Sequence, residues 1–161
     1  MACKIIIILV LLIFATNAAP KVLNDYQRLN GRYSWLNKRL YNHIRISSAE
    51  FRVPAELICA VIQHESRGRN IRSRMNHDGT RDYGYMQVNS VHGRASDLYN
   101  YKYNIKFGTW YLSKCLKKSR GNIRNACRYY NAGINSSKRK YKNWKYIDRI
   151  YADYKILRRN R

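Results

Sequence analysis

Chemistry that needs a titrating carboxyl has few candidates in this chain. Nine of the 161 residues are acidic, and the glutamates are Glu50, Glu56 and Glu65. At about 100° per residue, Ile58, Val61, Ile62 and Glu65 share a narrow arc of a helix, while Glu56 and Gln63 lie away from its centre. Glu65 therefore continues an apolar stripe. A polar stretch from Arg69 to about Leu98 follows, preceded by Gly68 and carrying Gly79, Gly84 and Gly93, and it reads as a long functional loop region. A carboxyl at the inner edge of a core loses hydration, which raises its pKa. A glutamate held protonated near neutral pH can hand a proton to a leaving group and take one back. Helix-end glutamates also serve as ordinary caps and ion-pair partners, so position alone leaves both readings open.

Other chemistries fit less well. His64-Glu65 begins a zinc-protease pattern, but the second histidine of H-E-x-x-H is replaced by Gly68. Asn76, Asp78, Thr80 and Asp82 alternate as in a calcium loop, yet Arg81 and Gln87 stand where that loop needs glycine and a bidentate glutamate. No metal site and no cofactor are expected. Tyr83, Tyr85, Tyr99, Tyr101 and Tyr103 cluster in or after the loop region, where sugar stacking and ordinary packing are equally good readings.

The elements that must position these residues are mostly helical. Leu36, Leu40, Ile44 and Ser47 or Ser48 recur at helical spacing, and Pro54 opens a second helix at its first turn, with Gly68 as its stop. Asp78-Gly79 favours a tight turn and so a short β-hairpin. A helical pattern resumes at Asn104 with Ile105, Gly108, Leu112, Cys115 and Leu116 on one side, and Ser119-Arg120-Gly121-Asn122 breaks it. A further stripe of Ile123, Ala126, Cys127 and Tyr130 ends at Asn131-Ala132-Gly133. The last helix runs from about Trp144 to Leu157, with Ile147, Ile150, Tyr151 and Tyr154 inward. Cys115 and Cys127 each lie on the stripe of their own helix, at a spacing that suits an antiparallel helical hairpin. A Cys115–Cys127 disulfide is the expectation, with two separate buried thiols as the alternative.

Residues 1–18 read as a secretory signal: Lys4, the apolar run Ile5 to Phe14, then small residues up to Ala18-Ala19. The run is shorter than the roughly 20 apolar residues a membrane span needs. The remainder is expected to form one domain, residues 44–161, behind a partly helical extension over 19–43. Export to a periplasm or cell exterior follows, and it leaves Cys59, Cys115 and Cys127 in an oxidising compartment. The formal charge of +23 points to a polyanionic surface, a bacterial wall or anionic membrane for an exported chain, and away from specific nucleic-acid recognition. The basic runs at 138–140 and 158–161 read as solvated charge or as wall tethers.

Four segments in order carry a family resemblance: Pro54-Ala55-Glu56-Leu57-Ile58 leading to Glu65-Ser66, then Gly84-Tyr85-Met86-Gln87, then Asn104-Ile105, then Tyr130-Asn131-Ala132-Gly133. Over about Ile44 to Tyr151 the chain resembles the soluble lytic transglycosylase domain, particularly its small secretion- and invasion-associated members. The resemblance implies a mostly α, α+β lysozyme-like fold with a glycan-binding cleft, acting on peptidoglycan strands, with a secretion-system or envelope complex as a partner. Glu65 would be the catalytic acid and base, and Ser66 its neighbour lining the cleft. Met86 and Gln87 would contact sugar, with Tyr85 in place of the family's leucine. Asn104 would begin the following helix. Tyr130 would orient the catalytic carboxyl and Asn131 contact muramic acid, with Tyr129 where alanine is usual. The family's product is a 1,6-anhydro sugar. A hydrolytic, lysozyme-type outcome needs a second carboxylate about 5–9.5 Å away, for which Asp78, Asp82 and Asp97 are candidates and Asp82 the foremost. A non-enzymatic cationic protein that binds bacterial surfaces is the competing class.

Overall fold

The computed structural model describes residues 25–137 and 141–159. The signal segment, the basic run at 138–140 and the end of the basic tail lie outside them. Residues 25–32 form a helix, α1. It is followed by α2 (Lys38–Phe51), α3 (Ala55–Ser66), β1 (Asp82–Tyr83), β2 (Val88–Asn89), a 3-10 turn over Ser90–His92, α4 (Ala95–Tyr99), α5 (Tyr101–Lys118), α6 (Ile123–Ala132) and α7 (Trp144–Arg159). The expected mostly α fold with a small β element is what forms.

Asparagines set the helix starts. The side chains of Asn37, Asn100 and Asn122 accept hydrogen bonds from backbone N–H groups of the first turns of α2, α5 and α6, satisfying donors that a helix N-terminus leaves free. Two arginines set helix ends: Arg52 and Arg67 take left-handed backbone after α2 and α3. The stop of α3 is thus Arg67, one residue before the glycine expected there. Gly68 follows at φ +69 beneath Trp35, whose ring lies so close that an added Cβ would fall 2.0 Å from it.

Helix α3 is the centre of the molecule, with α2 and α7 packed against it, while α5 packs on α2 and α6 and α6 on α7. From Glu56 to Ile62 every residue of α3 is buried, so the apolar stripe read from the sequence is too narrow. A helix covered all round is the expected form of a core element. The additional cover comes from residues ahead of α2. Leu29, Tyr33 and Leu36 are buried in the same core, Arg28 pairs with Glu56 at 3.0 Å, and Trp35 Nε1 donates to Gln63 Oε1 at 2.7 Å. The boundary expected at 43/44 falls inside α2, and residues 25–43 belong to the one core.

The loop region folds on itself twice. Asn76 and Thr80 close a turn around Asp78-Gly79 with a 2.7 Å backbone hydrogen bond, and an isolated antiparallel bridge joins Arg72 to Tyr83. The two-stranded sheet proper forms one turn later, where Asp82 pairs with Asn89 and Tyr83 with Val88 around Gly84–Gln87.

The expected disulfide is not present. Cys59, Cys115 and Cys127 are free, buried thiols. Cys115 and Cys127 are near enough on α5 and α6 that one disfavours ionisation of the other, but they serve the core as small apolar side chains. Burial pushes both thiols up to about 12. Tyr151 and Tyr154 are half-buried rather than core residues; the buried face of α7 is Ile147, Ile150 and Leu157. Among the described residues no helix is long and apolar enough to cross a membrane.

Candidate active site

Glu65 occupies the last turn of α3, where that helix leaves the core. Its carboxyl opens into a cleft of about 700 Å³ bounded by the β-hairpin loops on one side and by α5 and α6 on the other. Burial raises its pKa from 4.5 to about 7, against the opposing effect of a hydrogen bond from Tyr146, with the negative charge of Asp82 adding to the rise. The donor is the Tyr146 hydroxyl, to Glu65 Oε1, from the first turn of α7. The burial that protonates Glu65 also raises Tyr146 well above an ordinary phenol, which keeps that hydroxyl a donor.

The loop Gly84–Gln87 is locked from three directions. Asn104 is fully buried; its Oδ1 accepts from Met86 N at 2.9 Å, and its Nδ2 donates to Tyr83 O and Leu98 O at 2.8 and 3.0 Å. The Ser66 hydroxyl donates to Tyr85 O at 2.8 Å. The Tyr130 hydroxyl donates to Met86 O at 2.7 Å. The loop presses directly on Asn104: a Cβ on Gly84, whose φ is +77, would stand 2.3 Å from its amide. Gln87 adopts φ 48, and its Nε2 holds that turn by donating to Ile71 O and Gly84 O at 3.1 and 2.8 Å.

Of the site residues expected from the sequence, Glu65, Asp82, Gln87, Tyr130 and Asn131 line the cleft. Ser66 and Met86 do not. Ser66 is buried and its hydroxyl is used between α3 and the loop, while Met86 is fully buried with its sulfur beside Thr109 and Gly108. Tyr130 also differs from expectation: its hydroxyl is spent on Met86 O, and Tyr146 holds the carboxyl. Asp82 is fixed by the amides of Asn76 and Asn89 at 3.2 and 2.9 Å. Asp97 pairs with Arg94 outside the cleft at 3.1 Å, and Asp78 stands at the cleft's margin with Oδ1 accepting from Thr80. Asn131 accepts from the Tyr141 hydroxyl at 2.8 Å.

The sequence reading missed Tyr146, which lies 81 residues from its partner. The only local sign of it is its place one residue before the buried Ile147 of α7. The aromatic residues of the cleft are Phe107, Tyr111 and Tyr130, not the tyrosines between 83 and 103. Phe107 and Tyr111 are four apart on one face of α5, a spacing that could have marked them.

A carboxyl whose pKa is raised by burial to about 7 and which is held by a phenol in a polar cleft, with a second carboxyl fixed in the same cleft, is suited to acid–base work on an acetal-type bond. Two relatives, both named Protein IpgF, from Shigella sonnei and Shigella flexneri, are each 29% identical over 112 residues, which is 65% of this chain and 73% of theirs. Residues 42–151, from within α2 to within α7, match the Transglycosylase SLT domain. With helices packed around a central α3 whose end carries the cleft carboxyl, the chain belongs to the Transglycosylase SLT domain family.

Proposed function

We propose that the protein is a peptidoglycan lytic transglycosylase that cleaves the β-1,4 bond between MurNAc and GlcNAc, with Glu65 as both acid and base. The observation that carries this reading is the placement of the Glu65 carboxyl, which opens into the cleft at the end of α3 and is held by the Tyr146 hydroxyl; burial there raises its pKa to about 7, so that the carboxyl can both give up and take back a proton near neutral pH. In the first half-reaction Glu65 protonates the glycosidic oxygen as the bond to C1 of MurNAc breaks. In the second, the C6 hydroxyl of the same MurNAc attacks C1 and its proton passes to the Glu65 carboxylate. The products are a 1,6-anhydro end and a free GlcNAc 4-hydroxyl, and Glu65 is again protonated. Tyr146 orients the carboxyl and stabilises its charge between the steps. Gln87 offers its amide oxygen and Asn131 its amide nitrogen to the sugars, Tyr130 offers its ring, and Ser66, Met86 and Asn104 hold the loop that carries Gln87. Export and action at a cell envelope, with an envelope or secretion complex as partner, complete the reading; a net charge of +23 suits an anionic wall.

One observation favours a second outcome at the same site. Asp82 shares the cleft, is fixed by two amides, and acts on Glu65 electrostatically, so it could hold a water for hydrolysis. Mass spectrometry of fragments released from purified sacculi separates the two. Anhydro ends, lighter by one water than reducing ends, are expected, and Glu65→Gln should abolish release while sacculus binding persists. Reducing ends that disappear in Asp82→Asn would establish hydrolysis instead. Undiminished release by Glu65→Gln would overturn the assignment of the acid.

A further inference from the structure

Exposed apolar side chains occur together at one lip of the cleft. Among the described residues, the exposed large hydrophobic side chains include Val91 at 69%, Tyr103 at 40% and Trp110 at 38%, and these three gather where the Ser90–His92 turn meets α5. Tyr103, Phe107 and Trp110 are spaced by four and three residues, which places them on one helical face. A chain of ring contacts connects this face to the cleft wall. Tyr130 meets Tyr111 at 5.6 Å between centroids, Tyr111 meets His92 at 6.1 Å, and His92 meets Phe107 at 5.2 Å. Phe107 then meets Trp110 at 5.2 Å and, stacked, Tyr103 at 5.9 Å. Lys114 sits one turn beyond, its Nζ 5.5 Å from the Trp110 ring.

We infer that this face of α5 is a glycan-binding track that carries the peptidoglycan strand out of the cleft and past its rim. This rests on the reading of the cleft as a peptidoglycan site. Half-exposed rings grouped at the rim of a cleft mark an interaction surface. A linear polymer bound in the cleft must leave across its rim, and this aromatic face is continuous with the cleft wall through Phe107 and Tyr111. From Tyr103 to Trp110 the helix rises about 10 Å, the length of about two sugar units. Pyranose rings present apolar C–H faces that lie against aromatic side chains, and every second sugar of the strand bears a lactyl group whose peptide or free carboxylate would meet Lys114. The pairing of rings with a cation thus matches a polymer that alternates neutral and acidic units.

Cosedimentation with purified sacculi tests the track without depending on cleavage. In a Glu65→Gln background, Trp110→Ala should weaken sacculus binding about tenfold, Tyr103→Ala should weaken it less, and Trp110→Phe should restore most of the loss. In the active protein, Trp110→Ala should raise the half-saturating sacculus concentration by a similar factor and change the maximal rate less than twofold. Unfolding midpoints within a degree or two of the same protein with Trp110 and Tyr103 intact, compared at one pH and with the same residue at 65, would show that the fold is kept. Unchanged sacculus binding by Trp110→Ala would overturn the proposal. So would an equal loss of binding to anionic phospholipid vesicles, which would make the face a membrane contact. If Glu65→Gln proves to cleave normally, the reading of the acid fails while the binding comparison still decides the track.

Discussion

Replacing Glu65 by glutamine should stabilise the protein at alkaline pH and leave it unchanged in acid. In the folded protein the carboxyl titrates at about 7, raised from 4.5 chiefly by burial, so between those values the native state holds a proton that the unfolded chain has released. Stability therefore falls as pH rises from about 4.5 to about 7 and is flat with respect to this group above that. The rise corresponds to about 3 kcal/mol. Glutamine is neutral at every pH and keeps a carbonyl oxygen that can accept from Tyr146, so it removes the cost of a buried charge without removing the hydrogen bond. Urea unfolding of both proteins at several values between pH 4 and pH 9 measures the difference. The curves should coincide near pH 4 and separate to about 3 kcal/mol in favour of Glu65→Gln by pH 8, a gain of about 10 °C in midpoint for a domain of this size. A difference that stays constant with pH, or a parent protein more stable at pH 8, would refute the argument that burial raises the pKa of this carboxyl.

Two further substitutions probe how the site is held. Tyr146→Phe removes the donor that lowers the Glu65 pKa, so the alkaline limb of the pH–kcat/KM profile should move up by about one unit and the plateau should fall as the carboxyl loses its orientation; a limb that moves to lower pH would contradict this sign. Asn104→Ala strips hydrogen bonds from Met86 N, Tyr83 O and Leu98 O and should cost about 3 kcal/mol or more in urea unfolding. Gly84→Ala, strained at φ +77 and driven into the same amide, should be destabilising too, and the double variant should cost less than the sum because both break one contact.

How much of this was legible from the sequence depended on distance along the chain. Helical phase found the stripe Ile58, Val61, Ile62 and Glu65, because those residues belong to one helix and the stripe is a local property. The same phase put Glu56 outside the core, since the partner that allows its burial is Arg28, on a helix the pattern left as an extension. The loop motif was legible as a motif, but the roles of its members were not. Met86 points into the core and only Gln87 faces the cleft, a consequence of three long-range hydrogen bonds on Gly84–Gln87. Tyr146 escaped notice because a tyrosine on a helix of a chain with 15 tyrosines carries no local sign of the carboxyl it meets. The cysteines were placed on facing helices correctly, yet facing positions do not make a bond, and a spacing rule has no access to that difference.

The residues ahead of α2 carry the core past the edge of the family match. The SLT match begins at residue 42, but α1 is fastened to α7: Arg28 donates to Leu157 O, Arg32 pairs with Asp153, and the other oxygen of Asp153 meets His64 Nε2 at 2.9 Å. Asp153 lies seven residues, two helical turns, beyond Tyr146, whose ring packs edge-on to His64 at 6.2 Å. Helices α1 and α7 thus close a belt around the helix that bears Glu65, and that belt reaches beyond the matched segment on both sides. A chimera or truncation cut at the edges of the homologous segment would carry every catalytic residue and still lose the buckle that seats α7 against α3.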